Sequence, residues 1–302
     1  DYYHQRNNRY NTSLNYRFAQ DSIGRSFSSS LDYGYFDGAN KNRQSNTYYS
    51  PTGEQENQAL YRSLSGAGVT LFAVKADYED SLGHGKIMAG IKYSSVESNN
   101  KFKFFQNLPQ GEVLDDNQSN DFNYLERISA VYGSYKFAFS SKLNGQLGLR
   151  VEHTKADGAL AFRKEGQAAG QSVKNDYVNF FPNASLSLKA DETHRFSVGF
   201  SRRLDRPAYQ RLNPFVALLD DLTFWQGNPF LQPQYRNRYS LDYSHANGMV
   251  VSLAYSRTNN LIAQVDDTLG VNKIVMMPRN VGDQQHYSVN VTRTFKASPW
   301  WE

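Results

Sequence analysis

The sequence predicts an all-β protein, and more specifically an antiparallel β-barrel that spans a membrane. Three observations lead to this fold class: apolar and polar residues alternate along most of the chain, the connections alternate between short and long, and a polar chain carries many aromatic rings. Of 302 residues, 14% are aromatic, yet the mean hydropathy is -0.68. Disordered chains are poor in aromatic residues, and no apolar run approaches the ~20 residues of a transmembrane helix, so both classes are excluded.

Alternation with a period of two predicts the strands. In the first strand Leu14, Tyr16 and Phe18 are separated by polar residues, so one face is apolar. The pattern predicts about eleven complete strands, and Trp300 and Trp301 look like the start of another. Further apolar runs with this spacing lie at residues 27–35, 87–93, 147–151, 186–188, 196–200, 239–243, 249–255 and 287–291.

The connections between the strands follow a second pattern. Outer-membrane barrels have short periplasmic turns and longer extracellular loops, and the predicted connections alternate in this way. The pattern therefore favours a barrel in an outer membrane over a soluble sandwich. Tight turns are predicted at residues 21–25, 80–85, 140–143, 190–193, 245–248 and 297–299, and long polar segments, predicted as extracellular loops, at 37–68, 97–121, 155–176 and 204–234, with a shorter one at 267–272.

The size of the polar side chains favours the same fold. Arg17, Lys92 and Arg150 need a wide aqueous lumen or a plug if their face is turned inward, whereas a soluble barrel turns its apolar side inward. Aromatic rings are favoured at the level of the lipid headgroups. We therefore predict a lipid-facing aromatic girdle, although the pattern alone also fits edge positions of a soluble sheet. Its members are Tyr35, Tyr93, Tyr243 and Tyr255.

Catalytic and metal-binding chemistry finds little support in the sequence. The chain has no cysteine, which excludes thiolate metal sites, cysteine nucleophiles and disulfide bonds. Its six histidines are far apart, and the acidic stretch between Asp115 and Asp121 lacks the ligand spacing of an EF-hand. The charges, 33 Lys plus Arg against 29 Asp plus Glu, are dispersed, which argues against nucleic acid. We expect no enzyme activity, no catalytic, metal or cofactor site, and no nucleic-acid partner.

The segment 204–234 is rich in proline and is predicted to be an extracellular rim loop. Proline cannot donate a ladder hydrogen bond, so a rigid and irregular loop is expected in place of a strand. Gly227 is expected to supply a backbone angle that other residues avoid, and the amides of Asn213 and Asn228 are expected to bond nearby backbone. The prolines are Pro207, Pro214, Pro229 and Pro233.

Residues 201–243, which read SRRLDRPAYQRLNPFVALLDDLTFWQGNPFLQPQYRNRYSLDY, strongly resemble the signature of TonB-dependent outer-membrane receptors, in particular the outer-membrane β-barrel family abundant in Bacteroidetes. In that family an R-x-x-RP-x-Y-x-x-LNPF stretch leads to GNP-x-L-x-P-x-Y and a barrel strand. Weaker family-like stretches lie at 148–154, 181–186 and 277–282. The matching residues are Arg203, Arg206, Pro207, Tyr209, Leu212, Asn213, Pro214, Phe215, Gly227, Asn228, Pro229, Leu231, Pro233 and Tyr235.

The resemblance implies a barrel of about 22 strands, with an N-terminal plug and a TonB box, that takes up a bulky ligand such as a siderophore, an oligosaccharide or a peptide. The implied partners are outer-membrane lipid, the TonB–ExbB–ExbD system and a surface lipoprotein. Residues 1–302 contain neither plug nor TonB box, and later strands are also missing, so we expect a partial barrel domain. The alternatives are a barrel scaffold or binding component without energised transport, and a soluble carbohydrate-binding β-protein, which the motif disfavours.

Ligand contacts would have to come from loops and from the lumen. Rings in the predicted loops can stack on a ligand or pack the loops against each other, and the sequence leaves both alternatives open. Arg202, Arg203 and Arg206 can hold an anion by charge-assisted hydrogen bonds, but we favour a rim brace in which they pair with aspartates. The candidate ligand contacts are Arg202, Phe104, Phe105, Phe224 and Trp225, and the candidate brace partners are Asp205, Asp220 and Asp221.

Overall fold

The computed structural model describes residues 2–20, 24–164, 167–213, 216–218, 222–268 and 273–294. Several predictions from the sequence fall on residues outside these ranges, and the structure makes no statement about them. They are the motif residues Pro214 and Phe215, the brace candidates Asp220 and Asp221, the turn at 297–299, and the aromatic pair Trp300 and Trp301.

The described chain forms fifteen strands and one short helix, so the all-β prediction is confirmed. Period-two sequences form strands because successive side chains point to opposite faces. In chain order, the elements are β1 (Tyr2–Gln20), β2 (Arg25–Tyr49), β3 (Gln55–Leu82), β4 (Gly85–Leu108), β5 (Gly111–Ala138), β6 (Leu143–Lys164), β7 (Gln167–Lys189), β8 (His194–Asp205), α1 (Tyr209–Leu212), β9 (Val216–Leu218), β10 (Thr223–Gln226), β11 (Gln234–His245), β12 (Met249–Asn259), β13 (Ile262–Thr268), β14 (Ile274–Asn280) and β15 (Gln284–Arg293).

Eleven of these strands form one sheet, in the order β1-β2-β3-β4-β5-β6-β7-β8-β11-β12-β15, and every neighbouring pair is antiparallel. This agrees with the count of about eleven strands expected from the alternation. The remaining four strands form a second sheet, in the order β13-β14-β10-β9. Among the described residues, no helix combines the length and the apolar character needed to cross a lipid bilayer.

The short turns predicted at residues 80–85, 140–143, 190–193 and 245–248 lie where the sequence places them, whereas residues 21–23 of another predicted turn are outside the described residues. Three of the predicted long loops are wrong. β3 ends at Leu82 and β4 begins at Gly85, with Gly83 at φ 57° providing the left-handed residue of the turn. Residues 37–68, 97–121 and 155–176, in contrast, are almost wholly strand. These polar segments extend the hairpins, because the two arms of each hairpin satisfy each other's backbone groups and need no apolar face to do so.

The register divides the main sheet into an apolar face and a polar face. Leu14 pairs with Leu31, Leu31 with Val74, and Val74 with Tyr93, so their side chains share the apolar face. Many residues of this face are exposed, for example Ile91 at 62%. Such a continuous exposed apolar surface marks contact with an apolar partner or phase. The polar face carries charged side chains, among them Lys75, Lys92, Glu152, Arg203 and Arg236. Glu152 belongs to this face because it lies opposite Ala130, which itself lies opposite Lys92.

The chain between β8 and β11, residues 206–233, is called the rim segment below, and the described part of it contacts the polar face through residues such as Arg206, Leu212 and Leu231. A cluster of buried residues forms where it meets β5 and β6. Leu212 and Leu231 of the rim segment are only 5% and 3% exposed. They pack with Phe122, Tyr124, Ala156 and Leu160, and with the partly buried residues Phe162, Tyr209 and Ile262.

Candidate functional site

Arg206 anchors the rim segment at the end of β8. Its Nη2 atom donates hydrogen bonds to Glu152 Oε2 at 2.7 Å and to Thr154 Oγ1 at 3.1 Å, and its Nε atom lies 3.7 Å from Glu126 Oε1. The carboxylates of Glu126 and Glu152 are largely buried, with side chains 5% and 10% exposed. Buried carboxylates of this kind require a cationic partner, and Arg206 supplies it.

Among the described residues, the partners of Arg206 are glutamates of β5 and β6 and not the predicted Asp205, while the other brace candidates, Asp220 and Asp221, lie outside the described residues. Pro207 cannot continue the β8 ladder, and the chain turns from there across the polar face, where these glutamates lie. Asp205 instead lies 3.6 Å from the guanidinium of Arg236. Arg206 therefore connects the rim segment to the barrel wall formed by β5 and β6.

Arg206 is part of a larger polar network at this end of the sheet. Arg150 Nε donates to Glu152 Oε1 at 2.6 Å, so two arginines share one carboxylate. The Tyr209 hydroxyl donates to Glu126 Oε2 at 3.5 Å. Burial, followed by the nearby charge of Glu126, raises the pKa of Tyr209 to about 12, so this phenol stays protonated and keeps its role as donor. The network holds the start of the rim segment to two strands at once.

Gly227 is needed because its backbone lies close to the backbone of residues 211–213, and not because of the unusual backbone angle that the sequence predicts. Its φ is not among the positive values found in the described residues. A Cβ atom at this position would lie 2.1 Å from the carbonyl oxygen of Asn213 and 2.8 Å from that of Arg211. The neighbouring amide of Asn228 donates to the Arg211 carbonyl at 2.7 Å. The two halves of the motif, LNP and GNP, therefore pack backbone against backbone.

Asparagine side chains tie the rim segment to the second sheet, as expected for residues whose amides bond nearby backbone. Asn228 Oδ1 accepts a hydrogen bond from the Phe230 amide at 2.9 Å, and its Nδ2 donates to the Pro278 carbonyl at 3.2 Å. Asn280 Oδ1 accepts from the Gln232 amide at 2.9 Å. Pro278 and Asn280 belong to the family-like stretch 277–282, so this stretch contacts the GNP motif in three dimensions.

The structure separates the three neighbouring arginines that the sequence grouped. Arg202 lies with its guanidinium 5.1 Å from the ring centroid of Tyr235. Arg203 occupies the opposite face of β8, where it pairs with Arg236 of β11. Only Arg206 reaches the buried glutamates. The cluster that looked like one site is therefore three different environments.

The aromatic candidates for ligand contact lie in strands and not in irregular loops. Phe104 is predicted to lie in a loop but lies in β4, where it is 6% exposed and its ring packs 5.4 Å from that of Tyr61, as in the packing alternative that the sequence left open. Phe105 lies under the guanidinium of Arg62 at 3.9 Å. Phe224 and Trp225 lie in β10, where Lys273 is 5.4 Å from the Phe224 ring. Whether any of these rings contacts a ligand stays a prediction.

The four predicted girdle tyrosines close apolar runs on their strands. Tyr35 stacks with Tyr10 at 6.4 Å, and Tyr255 stacks with Tyr239 at 6.1 Å and makes a tilted contact with Tyr287 at 4.9 Å between ring centroids. Tyr243 lies 5.1 Å from Phe196, near the opposite end of the strands, and Tyr93 follows Ile91 on β4. Their contact with lipid headgroups stays a prediction.

The residues that complete the anchor were missed by reasoning on single positions. Arg150, Glu152 and Thr154 all lie in the stretch GLRVEHT, residues 148–154, which was noted only as a weak resemblance. The stretch FPNASL, residues 181–186, pairs with it: a Cβ on Gly148 would lie 2.7 Å from the Asn183 amide. Two opposite charges spaced by two on one face of a predicted strand, as in Arg150 and Glu152, are the signal that could have identified the anchor.

Metal ligands are not assembled in the described part of the chain. Among those residues, no group of three or more His, Cys, Asp or Glu side chains lies close enough together to hold a metal ion. The acidic stretch near Asp115 is organised by its own hydrogen bonds, with Asp115 accepting from Gln106 at 2.7 Å and from Gln118 at 3.0 Å.

A sequence model of the outer membrane protein beta-barrel family matches residues 16–302. A search of curated protein sequences found no match. Three solved structures are similar in fold. The ferric yersiniabactin uptake receptor FyuA from Yersinia pestis has a TM-score of 0.53 at 10% identity, with 91% of this chain and 40% of that chain covered.

The other two are the ferric-catecholate import receptor Fiu from K12 E. coli and the copper transporter OprC. The first has a TM-score of 0.61 at 9% identity and covers 98% of this chain and 46% of that chain. The second has a TM-score of 0.61 at 11% identity and covers 94% and 43%. At these identities the likeness concerns the fold alone, and the chain spans less than half the length of each of the three structures.

Proposed function

We propose a transport function from one premise: this chain belongs to the outer membrane protein beta-barrel family and is an integral protein of the outer membrane. The proposed role is that of the barrel of a TonB-dependent receptor, which takes up a bulky ligand such as a siderophore, an oligosaccharide or a peptide and is not an enzyme. The observation that carries the proposal is the rim segment folded onto the polar face and anchored there by Arg206 and Glu152.

The two faces of the main sheet support this role. In a membrane barrel the apolar face contacts lipid and the other face lines the lumen. Here the lumen face carries lysine, arginine and glutamate side chains, such as Lys92 and Glu152, which suit a wide aqueous interior. The anchored rim segment contacts the part of this wall that β5 and β6 form.

The similar solved structures support the proposal at the level of fold. Two of them are described as receptors for iron complexes and one as a copper transporter. Dependence on the TonB–ExbB–ExbD system and cooperation with a surface lipoprotein are parts of the proposal for the complete protein. The narrower assignment to the type of receptor abundant in Bacteroidetes is also part of the proposal, and it rests on the motif in residues 201–243.

Uptake in cells tests the proposal. A strain lacking the complete gene would be compared with a complemented strain for accumulation of labelled siderophores, oligosaccharides and peptides, with and without TonB. We expect one ligand class to accumulate only when both the protein and TonB are present. Surface binding that persists without TonB and is never followed by accumulation would support the scaffold alternative and contradict transport.

A variant of the rim segment connects the uptake assay to the structure. Arg206→Ala removes the cation shared by Glu126 and Glu152, so the rim segment should detach and uptake should fall while the barrel still inserts. Arg202→Ala, four positions earlier and outside the network, serves as the matched control and should retain uptake. Heat-modifiable migration on gels would establish that both variants form a barrel.

A further inference from the structure

At the end next to the rim segment, the polar face of β8 and β11 carries three arginines that the anchor does not use. Arg203 lies directly opposite Arg236, and Arg238 is two positions further along the same face of β11. Residues directly opposite on adjacent antiparallel strands have Cβ atoms about 5 Å apart, and like charges in that arrangement are destabilising. The lumen wall therefore concentrates positive charge just below the rim segment.

Few of the available partners compensate this charge. Arg236 lies 3.6 Å from Asp205 and donates from Nε to Thr258 Oγ1 at 3.3 Å. Within the described ranges, Arg203 and Arg238 have neither an ion pair nor a hydrogen bond from the side chain, and both are exposed. Among the described residues, only the carboxylate of Asp205 is paired with any of these three guanidinium groups, and that carboxylate is half exposed and also accepts a hydrogen bond from Gln234.

Hydroxyl groups surround the arginines on the same face. Ser201 lies opposite Arg238, which on its other side lies opposite Ser256, and Thr258 lies opposite Arg236. Thr258 and Ser256 are 3% and 8% exposed, so these hydroxyls belong to a fixed wall. Guanidinium forks together with hydroxyl donors are the groups that bind carboxylate and phosphate oxygens in proteins.

We propose that Arg203, Arg236 and Arg238 form a binding site for a small polyanion, a molecule carrying two or more carboxylate or phosphate groups, on the lumen wall. The three positions span about 5 Å across the strands and about 7 Å along β11, which suits two neighbouring anionic groups. The inference rests on the proposed receptor function, because a ligand reaches this face only through the barrel, and it names the ligand class that the receptor takes up.

Binding of inorganic tripolyphosphate to the complete protein in a zwitterionic detergent tests the site. Isothermal titration calorimetry should show binding that weakens as salt is raised. Each of Arg203→Gln, Arg236→Gln and Arg238→Gln should weaken it about 3- to 10-fold, as expected for charge-assisted hydrogen bonds that remain partly exposed. The triple variant should bind about 30- to 1000-fold more weakly, because the three losses multiply if the arginines act independently.

Arg195→Gln provides the matched control, since Arg195 lies on the same face of β8 but at its other end, opposite Ser244. It should bind the probe like the unmodified protein. Equal weakening by Arg195→Gln, or full affinity in the triple variant, would overturn the proposal. Absence of any affinity of the unmodified protein for tripolyphosphate would also overturn the proposal. In that case, phenylglyoxal labelling of Arg203 and Arg238 would show whether another segment of the complete protein covers these arginines.

The two proposals fail in distinguishable ways. If the triple variant loses affinity for tripolyphosphate but cells show no energised uptake, the proposal of the anion site is supported and the proposal of transport is contradicted. If the triple variant performs energised uptake normally and binds tripolyphosphate with unchanged affinity, the proposal of transport is supported and the proposal of the anion site is contradicted.

Discussion

Arg203 and Arg206 are three positions apart, yet they lie in opposite surroundings. Arg206 has a side chain 24% exposed and reaches two buried carboxylates, Glu152 at 2.7 Å and Glu126 at 3.7 Å. Arg203 is exposed and faces another arginine, Arg236. Burial among carboxylates commits the first to holding the rim segment, whereas a lack of such partners leaves the second available to a ligand. Proximity in sequence therefore does not make one site of them.

The largest effect is expected where the buried pair is broken. Arg206→Ala leaves Glu126 and Glu152 without their shared cation, and breaking a buried ion pair costs about 3–5 kcal/mol. We expect a loss of about 3 kcal/mol in the free energy of unfolding, because water still reaches part of the guanidinium. Denaturant unfolding of the protein folded into lipid vesicles would measure it.

The exposed arginine provides the contrast for that measurement. Arg203→Ala removes a cation from a wall that already has excess positive charge, so its stability should be unchanged or slightly higher. If Arg203→Ala and Arg206→Ala lowered the free energy of unfolding equally, the distinction between a structural and an available arginine would not hold.

A smaller effect is expected where the two halves of the motif touch. Gly227→Ala would place a methyl group 2.1 Å from the Asn213 carbonyl oxygen, and backbone on both sides leaves no flexible side chain to move away. Overpacking of this kind costs about 1–3 kcal/mol. Hydrogen exchange of residues 206–213 should increase as the segment loosens.

Gly66→Ala is the matched glycine control. A Cβ at Gly66 in β3 would meet no atom within 4 Å, so exchange there should be unchanged or slower, since alanine restricts the unfolded chain. Unchanged exchange of the rim segment in Gly227→Ala would show that the two halves of the motif can separate without cost.

The sequence predicts the main sheet well because its information is local. Alternation such as Leu14, Tyr16 and Phe18 reports which face of a strand is apolar, independently of the rest of the chain. The sequence predicts loops where the polar hairpin extensions lie, because both faces of these strands are polar and the alternation of apolar and polar residues disappears. The ladder of backbone hydrogen bonds that maintains them has no signature in side-chain hydropathy.

The site is less predictable because its partners are distant in sequence. Arg206 and Glu152 are 54 positions apart. The pairing of β6 with β7 and of β7 with β8, followed by the turn at Pro207, brings them together. Arg203 and Arg236 likewise meet through the pairing of β8 with β11. The motif identified which residues of the rim segment matter, while the wall it docks on had to come from the structure.

The smallest effect concerns a third arginine, which shows what an exposed carboxylate partner contributes. In the hairpin extensions, Arg62 donates from Nε and Nη2 to both oxygens of Glu112 at 2.5 Å. The hydrogen bond from Arg62 lowers the pKa of Glu112. Because the Glu112 side chain is 41% exposed, water screens the pair, and its contribution is much smaller than that of Arg206.

A carboxyl group whose pKa is lowered in the folded state stabilises above its unfolded pKa, about 4.3 for glutamate, and that stabilisation is lost as pH falls through the folded value. We therefore expect hydrogen-exchange protection of residues 105–113 to be constant between pH 7 and 5 and to fall below about pH 4, after correction for intrinsic rates. Glu112→Gln should remove this dependence, because glutamine does not titrate. Protection already lost between pH 7 and 6 would mean that another group controls the hairpin, and the bidentate pair would then have no measurable role there.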